Sequence, residues 1–107
     1  METDRFLEAG ADDEVVSERD LSRLRWRCRR GLLENDLFIE RFFQRYERHL
    51  TYAQARGLYA LMALADNDLL DLLLARREPG SEWVGRGAEA VRLVLAQLRE
   101  PPSPTLA

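Results

Sequence analysis

The sequence predicts an all-α fold: a compact five-helix antiparallel bundle with flexible N- and C-terminal tails. Three observations lead there. Apolar residues recur with the helical period in five segments. No run alternates as a half-buried strand would. Glycine, proline and capping residues interrupt the segments at short intervals, which suits antiparallel neighbours.

Residues 1–18 hold seven acids and one Arg with weak periodicity, and read as an acidic, disordered arm. The helical domain is expected over residues 19–99. Its first helix runs from about Arg19 to Arg30, with Leu21, Leu24 and Cys28 on one face and Gly31 as the C-terminal cap. Trp26 lies on the opposite side, where it either packs against another helix or stands exposed as an interface anchor.

The second helix is expected from Leu32 to Arg48. Leu32, Ile39, Phe43, Tyr46 and Leu50 form its stripe. Leu33 and Leu37 widen the stripe on one side, and Phe38 and Phe42 on the other. Only a wedge with Glu34, Arg41, Arg45 and Arg48 stays polar, so this helix reads as the centre of the bundle.

Thr51-x-x-Gln54 is a capping box that opens the third helix, whose inner face is Ala55, Leu58, Tyr59, Met62 and Ala65. Asp66-Asn67-Asp68 reads as its stop and as the cap of the fourth, which carries Leu69, Leu70, Leu72, Leu73 and Leu74. Pro79-Gly80-Ser81 is a turn with a cap. The fifth helix turns Trp83, Gly87, Val91, Val94, Leu95 and Leu98 inward. Residues 100–107 are a proline-rich tail.

Composition excludes several classes of function. A chain of 107 residues is one domain's worth and buries one modest core. The net charge of −3 gives no overall attraction to nucleic acid. All basic residues are Arg, and nine of them lie within residues 19–49 against five acids, so the middle of the chain is locally basic. The run Arg23-Leu24-Arg25-Trp26-Arg27-Cys28-Arg29-Arg30 could meet nucleic acid, but a solvated face paired with acids elsewhere is the simpler reading. One Cys and one His cannot build the usual zinc sites. Cys28 reads as a buried thiol and His49 as a helix-end residue. Without a phosphate loop, dinucleotide fingerprint or acid–base pair, no enzyme is expected. No apolar run approaches the length of a membrane span, and a bacterial cytoplasm is the simplest address.

The stretch Arg29-Arg30-Gly31-Leu32-Leu33-Glu34-Asn35-Asp36 is the most informative. Two guanidinium groups precede a glycine, and two carboxylates enter the next helix where its dipole favours them. Asp36 falls inside the apolar sector, so it requires a partner or the edge of a binding face. Glu34 is free to reach outward, and Gly31 lets another backbone approach closely.

These residues, with Trp26 before them, Phe42-Phe43 after them and Asp66-x-Asp68-Leu69 further on, resemble the succinate dehydrogenase flavinylation factors: bacterial SdhE-type proteins and their mitochondrial counterparts. The resemblance covers about residues 19–99. It implies a helical assembly factor, not an enzyme, that binds the flavoprotein subunit of succinate dehydrogenase or fumarate reductase and promotes covalent FAD attachment there. By the same resemblance Arg30, Gly31 and Glu34 form the partner-binding core, and Trp26, Arg29 and Asp36 flank it. FAD would be the partner's cofactor, with none bound tightly by this chain, which is expected to be a monomer. Departures from the family pattern are Asn35 for an aliphatic residue, Glu40-Arg41 where a proline is common, Asn67 for proline, Leu72 for tryptophan and Arg77 for glycine. A regulatory or antitoxin-like module with another protein target is the alternative.

Overall fold

In a computed structural model, residues 10–29, 32–80 and 86–101 are described. Five helices follow one another: α1 (Glu18–Arg27), α2 (Leu33–Tyr46), α3 (Tyr52–Leu61), α4 (Asp66–Leu73) and α5 (Arg86–Leu98), with a 3-10 turn at Glu47–His49. Among the described residues there is no strand. A single antiparallel bridge joins Val15 to Thr51.

One core joins the helices. Leu24 and Cys28 enter it from α1 and its cap, with Leu21 packed at its edge. Ile39, Phe42 and Phe43 enter from α2, and Leu58 and Leu61 from α3. Leu69 and Leu72 come from α4, and Val91, Val94, Leu95 and Leu98 from α5. The periodicity therefore places the inner faces well.

The tightest junction is α3 against α5. A Cβ on Gly57 would lie 2.5 Å from the carbonyl oxygen of Ala90, so glycine is what lets the two backbones meet. Gln54 Nε2 donates to Gln97 Oε1 at 3.0 Å across the same junction. The Thr51–Gln54 capping box forms as expected.

Several local expectations change. The first helix stops at Arg27, with Cys28 as its cap, because the Cys28 N–H closes onto Leu24 and Arg25 at 3.0 and 3.2 Å. Gly31, expected as that cap, lies outside the described residues, as do Arg30, Ser81 and Trp83. Ala65 is exposed and takes the N-cap position of α4, while Asp66-Asn67-Asp68 forms the first turn. Asp66 and Asp68 thus act through the helix dipole and not as the cap. On α5 it is Ala88 that turns inward, whereas Gly87 is exposed. Leu33, Leu37 and Leu74, read as part of apolar faces, are exposed as well.

Helix α4 ends in a Schellman motif: Arg76 N–H reaches Asp71 O at 2.8 Å and Ala75 N–H reaches Leu72 O at 3.1 Å. Ala75 occupies the left-handed position at φ 60°, a place that glycine usually fills.

Residues 10–17, assigned to the arm from composition, are bonded to the body. Val16 N–H donates to Leu50 O at 2.7 Å, Tyr52 N–H to Glu14 O at 2.9 Å and Ala53 N–H to Asp12 O at 3.1 Å. Arg56 pairs with Asp12 at 2.5 Å, and Val16 is buried. This strap supplies partners for N–H groups at the start of α3, which a helix leaves unsatisfied.

Candidate functional site

Helices α1 and α2 diverge to leave an open cleft of about 520 Å³. Its α1 wall carries Ser22, Arg25 and Trp26, continued by Arg29 just past the helix cap. The α2 wall carries Asp36, Ile39, Glu40 and Phe43. Both sets follow the i, i+3, i+4, i+7 spacing, so each helix turns one stripe toward the same space. Cys28, Ile39 and Phe43 are buried and form its apolar depth.

Three sequence-derived site residues, Trp26, Arg29 and Asp36, therefore meet in one place. Trp26 is 73% exposed, which decides between its two readings: it packs against no other helix. The Arg29 guanidinium lies over its ring at 5.9 Å from the centroid, which holds the indole at the lip of the cleft. Asp36 is half-buried on the α2 wall, and its main chain is already inside the helix, with N–H bonded to Leu32 O at 3.0 Å. Glu34 is exposed. It sits in the first turn of α2, where Leu32 provides no side-chain cap and an acid is favoured. Arg30 and Gly31 connect these walls in sequence and lie outside the described residues.

The α1 wall is held by two contacts. Arg25 forms an ion pair with Glu47 at 2.6 Å and lies over the Phe43 ring at 5.0 Å. On the neighbouring face of α2, outside the lining of the cleft, Leu33 is 69% exposed and Leu37 is 54% exposed. Their spacing from Asp36 and Glu40 puts all four on one side of the helix. Sequence reasoning missed Arg25 and Glu40 as residues of the cleft and the exposure of Leu33 and Leu37 beside it. The hydrophobic period shows the width of an apolar face and not where its cover ends.

Asn35 is the surprise within the motif. It is fully buried between the two acids, and its Nδ2 donates to Asp66 O at 3.3 Å, linking the first turns of α2 and α4. Its Oδ1 is buried without a hydrogen-bond partner among the described residues.

Cys28 is buried and His49 is exposed in the 3-10 turn. Among the described residues no three His, Cys, Asp or Glu gather as a metal site, and no helix is long and apolar enough to cross a membrane. Two tyrosines away from the cleft have raised phenol values. The Asp20 carboxylate bonded at 2.5 Å, followed by burial, raises the Tyr52 phenol above its ordinary value. Burial, followed by the bond to Glu100 at 2.7 Å, does the same for Tyr46.

Comparison with known proteins bears on what such a cleft serves. The sequence profile of a family described as flavinator of succinate dehydrogenase matches residues 22–99. A protein of Ralstonia nicotianae named FAD assembly factor SdhE is 54% identical over 78 residues, covering 73% of this chain and 79% of that protein. A Legionella pneumophila protein of the same name is 36% identical over 67 residues, covering 63% of this chain and 85% of its own. A Coxiella burnetii one is 39% identical over 59 residues, covering 55% and 72% respectively. No solved structure matches. The strap at residues 10–17 lies outside the span matched by the family profile.

Proposed function

Because the chain belongs to the family of flavinators of succinate dehydrogenase, we propose that it is an assembly factor that binds the flavoprotein subunit of that enzyme and promotes its covalent attachment to FAD. The observation that carries this reading is the meeting of Trp26, Arg29 and Asp36 in one open cleft; Glu34 stands exposed on the first turn of α2. Side chains of both charge signs around an exposed indole suit recognition of a folded protein surface.

The factor contributes binding and not covalent chemistry. Arg29 and Arg30 donate charge-assisted hydrogen bonds to carboxylates or carbonyls of the flavoprotein. Glu34 accepts from a basic or amide group there, and Gly31 lets the two backbones close. Binding energy is thereby used to hold the immature subunit in the conformation in which its own residue and its own FAD react. FAD remains the partner's cofactor. The factor acts as a monomer in the bacterial cytoplasm, and a related fumarate reductase flavoprotein fits the same surface.

The test is co-expression with the organism's succinate dehydrogenase flavoprotein in a host lacking its own factor, with covalent flavin read as fluorescence of the denatured subunit. Fluorescence that needs the wild-type chain and fails with Gly31→Arg supports the reading. Equal fluorescence with and without the chain contradicts it and favours a regulatory module with another target. Glu34→Ala is expected to weaken binding, and unchanged affinity would return Glu34 to the role of a helix-end acid.

A further inference from the structure

The walls of the cleft carry more detail than the partner's identity. The α1 wall is basic, through Arg25 and Arg29, and the α2 wall is acidic, through Asp36 and Glu40. Arg25 is engaged with Glu47, but Arg29 and Glu40 have no ion-pair partner among the described residues. Two charges of opposite sign, without an ion-pair partner among the described residues, thus face one space. Each wall is a stripe spaced i, i+3, i+4, i+7, which spans about 10 Å, or two helical turns. Trp26 at the cleft is apolar surface that this chain leaves uncovered, and Leu33 and Leu37 are exposed on the adjoining face of α2. Two helices offering ridges of helical period on either side of an apolar floor are the surroundings into which a third helix packs.

We infer that the α1–α2 cleft receives a helical segment of the flavoprotein, about two turns long, that completes the bundle as a sixth helix. The inference rests on the proposed function. The segment's apolar side lies over Ile39 and Phe43 and reaches Trp26. An acidic residue on one flank meets Arg29, and a basic residue on the other meets Glu40. A strand would not match: its side chains alternate with period two and would present every second residue to walls built on the helical period. A second copy of this chain would have to supply the same two charged flanks from one of its own exposed helix faces, and the experiment below separates that outcome.

A photoreactive phenylalanine analogue at Ser22, on the α1 wall, reports the occupant directly. Leu93 on the exposed side of α5 is the control position. The full-length factor is irradiated with the apo-flavoprotein, and crosslinked residues are read by mass spectrometry. The expected result is one flavoprotein segment, with its crosslinked residues spaced by three, four or seven, absent from the Leu93 control. Glu40→Arg and Arg29→Glu should each weaken the complex about tenfold or more without moving the melting temperature. Crosslinks spaced by two, crosslinks to a second copy of this chain, or crosslinks no stronger than the control would each overturn the inference. So would charge reversals that leave affinity unchanged. If the wild-type chain supports flavinylation while the crosslink pattern fails, the assembly role stands and only the helical occupant falls. If flavinylation does not need the chain at all, the proposed function fails first.

Discussion

Two helix pairs of this molecule are built on opposite rules. Between α3 and α5 the backbones approach so closely that Gly57 has no room for a Cβ, and the facing side chains Leu58, Val91 and Val94 are buried. Between α1 and α2 an open cleft with charged walls leaves Trp26 exposed, and Leu33 and Leu37 are exposed on the adjoining face of α2. Apolar residues in the first pair are there for stability. In the second they are surface that folding leaves uncovered, which is the expected condition of a binding face. The difference teaches that an apolar period alone does not distinguish a core from an interface, since both pairs show the same spacing in sequence.

Mutations should therefore separate into two sets. The largest effect is expected at Leu58→Ala, a fully buried site on α3. It should cost about 2–5 kcal/mol of folding stability, measured by urea unfolding, and should reduce binding only through the loss of folded protein. Trp26→Ala is the opposite case. Stability should change by no more than about 0.5 kcal/mol, while affinity for the flavoprotein falls by about 2 kcal/mol. An equal effect on both quantities would break the comparison.

Gly57→Ala comes next. Overpacking against Ala90 costs about 1–3 kcal/mol, of which helix propensity returns up to about 1 kcal/mol, so a net loss is expected. A stabilised variant would mean that α3 and α5 can part freely. Ala75→Gly should act in the other direction. Relief of the left-handed alanine should add about 1 kcal/mol and raise the unfolding midpoint, with binding unchanged because Ala75 lies beyond α4, outside the α1–α2 cleft.

The smallest effect is one of pH. Tyr52 has its folded-state phenol raised above 10.0, mainly by its bond to Asp20. A raised value means that the folded state favours the neutral form. The corresponding stability is fully present below the unfolded value and disappears as pH rises through the folded one. Unfolding midpoints should thus stay level up to about pH 10 and then fall, with a shallower fall in Tyr52→Phe. An unchanged profile in that variant would remove Tyr52 as the cause.

Much of this was legible in the sequence, for identifiable reasons. Five helices and their inner faces followed from the spacing of Leu24, Ile39, Phe43, Leu58 and Val94, because a helix that buries one stripe must repeat it. Trp26, Arg29 and Asp36 were legible as site candidates through their motif, and the fold brings them together. The uncovered state of Leu33 and Leu37 was not legible, since burial depends on which neighbour arrives. Nor was the strap at residues 10–17. Its composition is that of a solvated tail, yet its hydrogen bonds go to Leu50, Tyr52 and Ala53, more than 30 positions away. Asn35 stood out only as a departure from the family pattern. Its burial and its bond to Asp66 became visible once α2 and α4 were side by side.

The most direct test of the division between a stabilising pair and a binding pair is to measure melting temperature and covalent flavin on the same variant. Leu33→Ser combined with Leu37→Ser is the choice, co-expressed with the flavoprotein in a host without its own factor. A melting temperature within the error of wild type, together with a clear loss of flavin fluorescence, is the expected result. Full fluorescence at unchanged melting temperature would contradict the account, because the exposed side of α2 would then have no part in the work of the molecule.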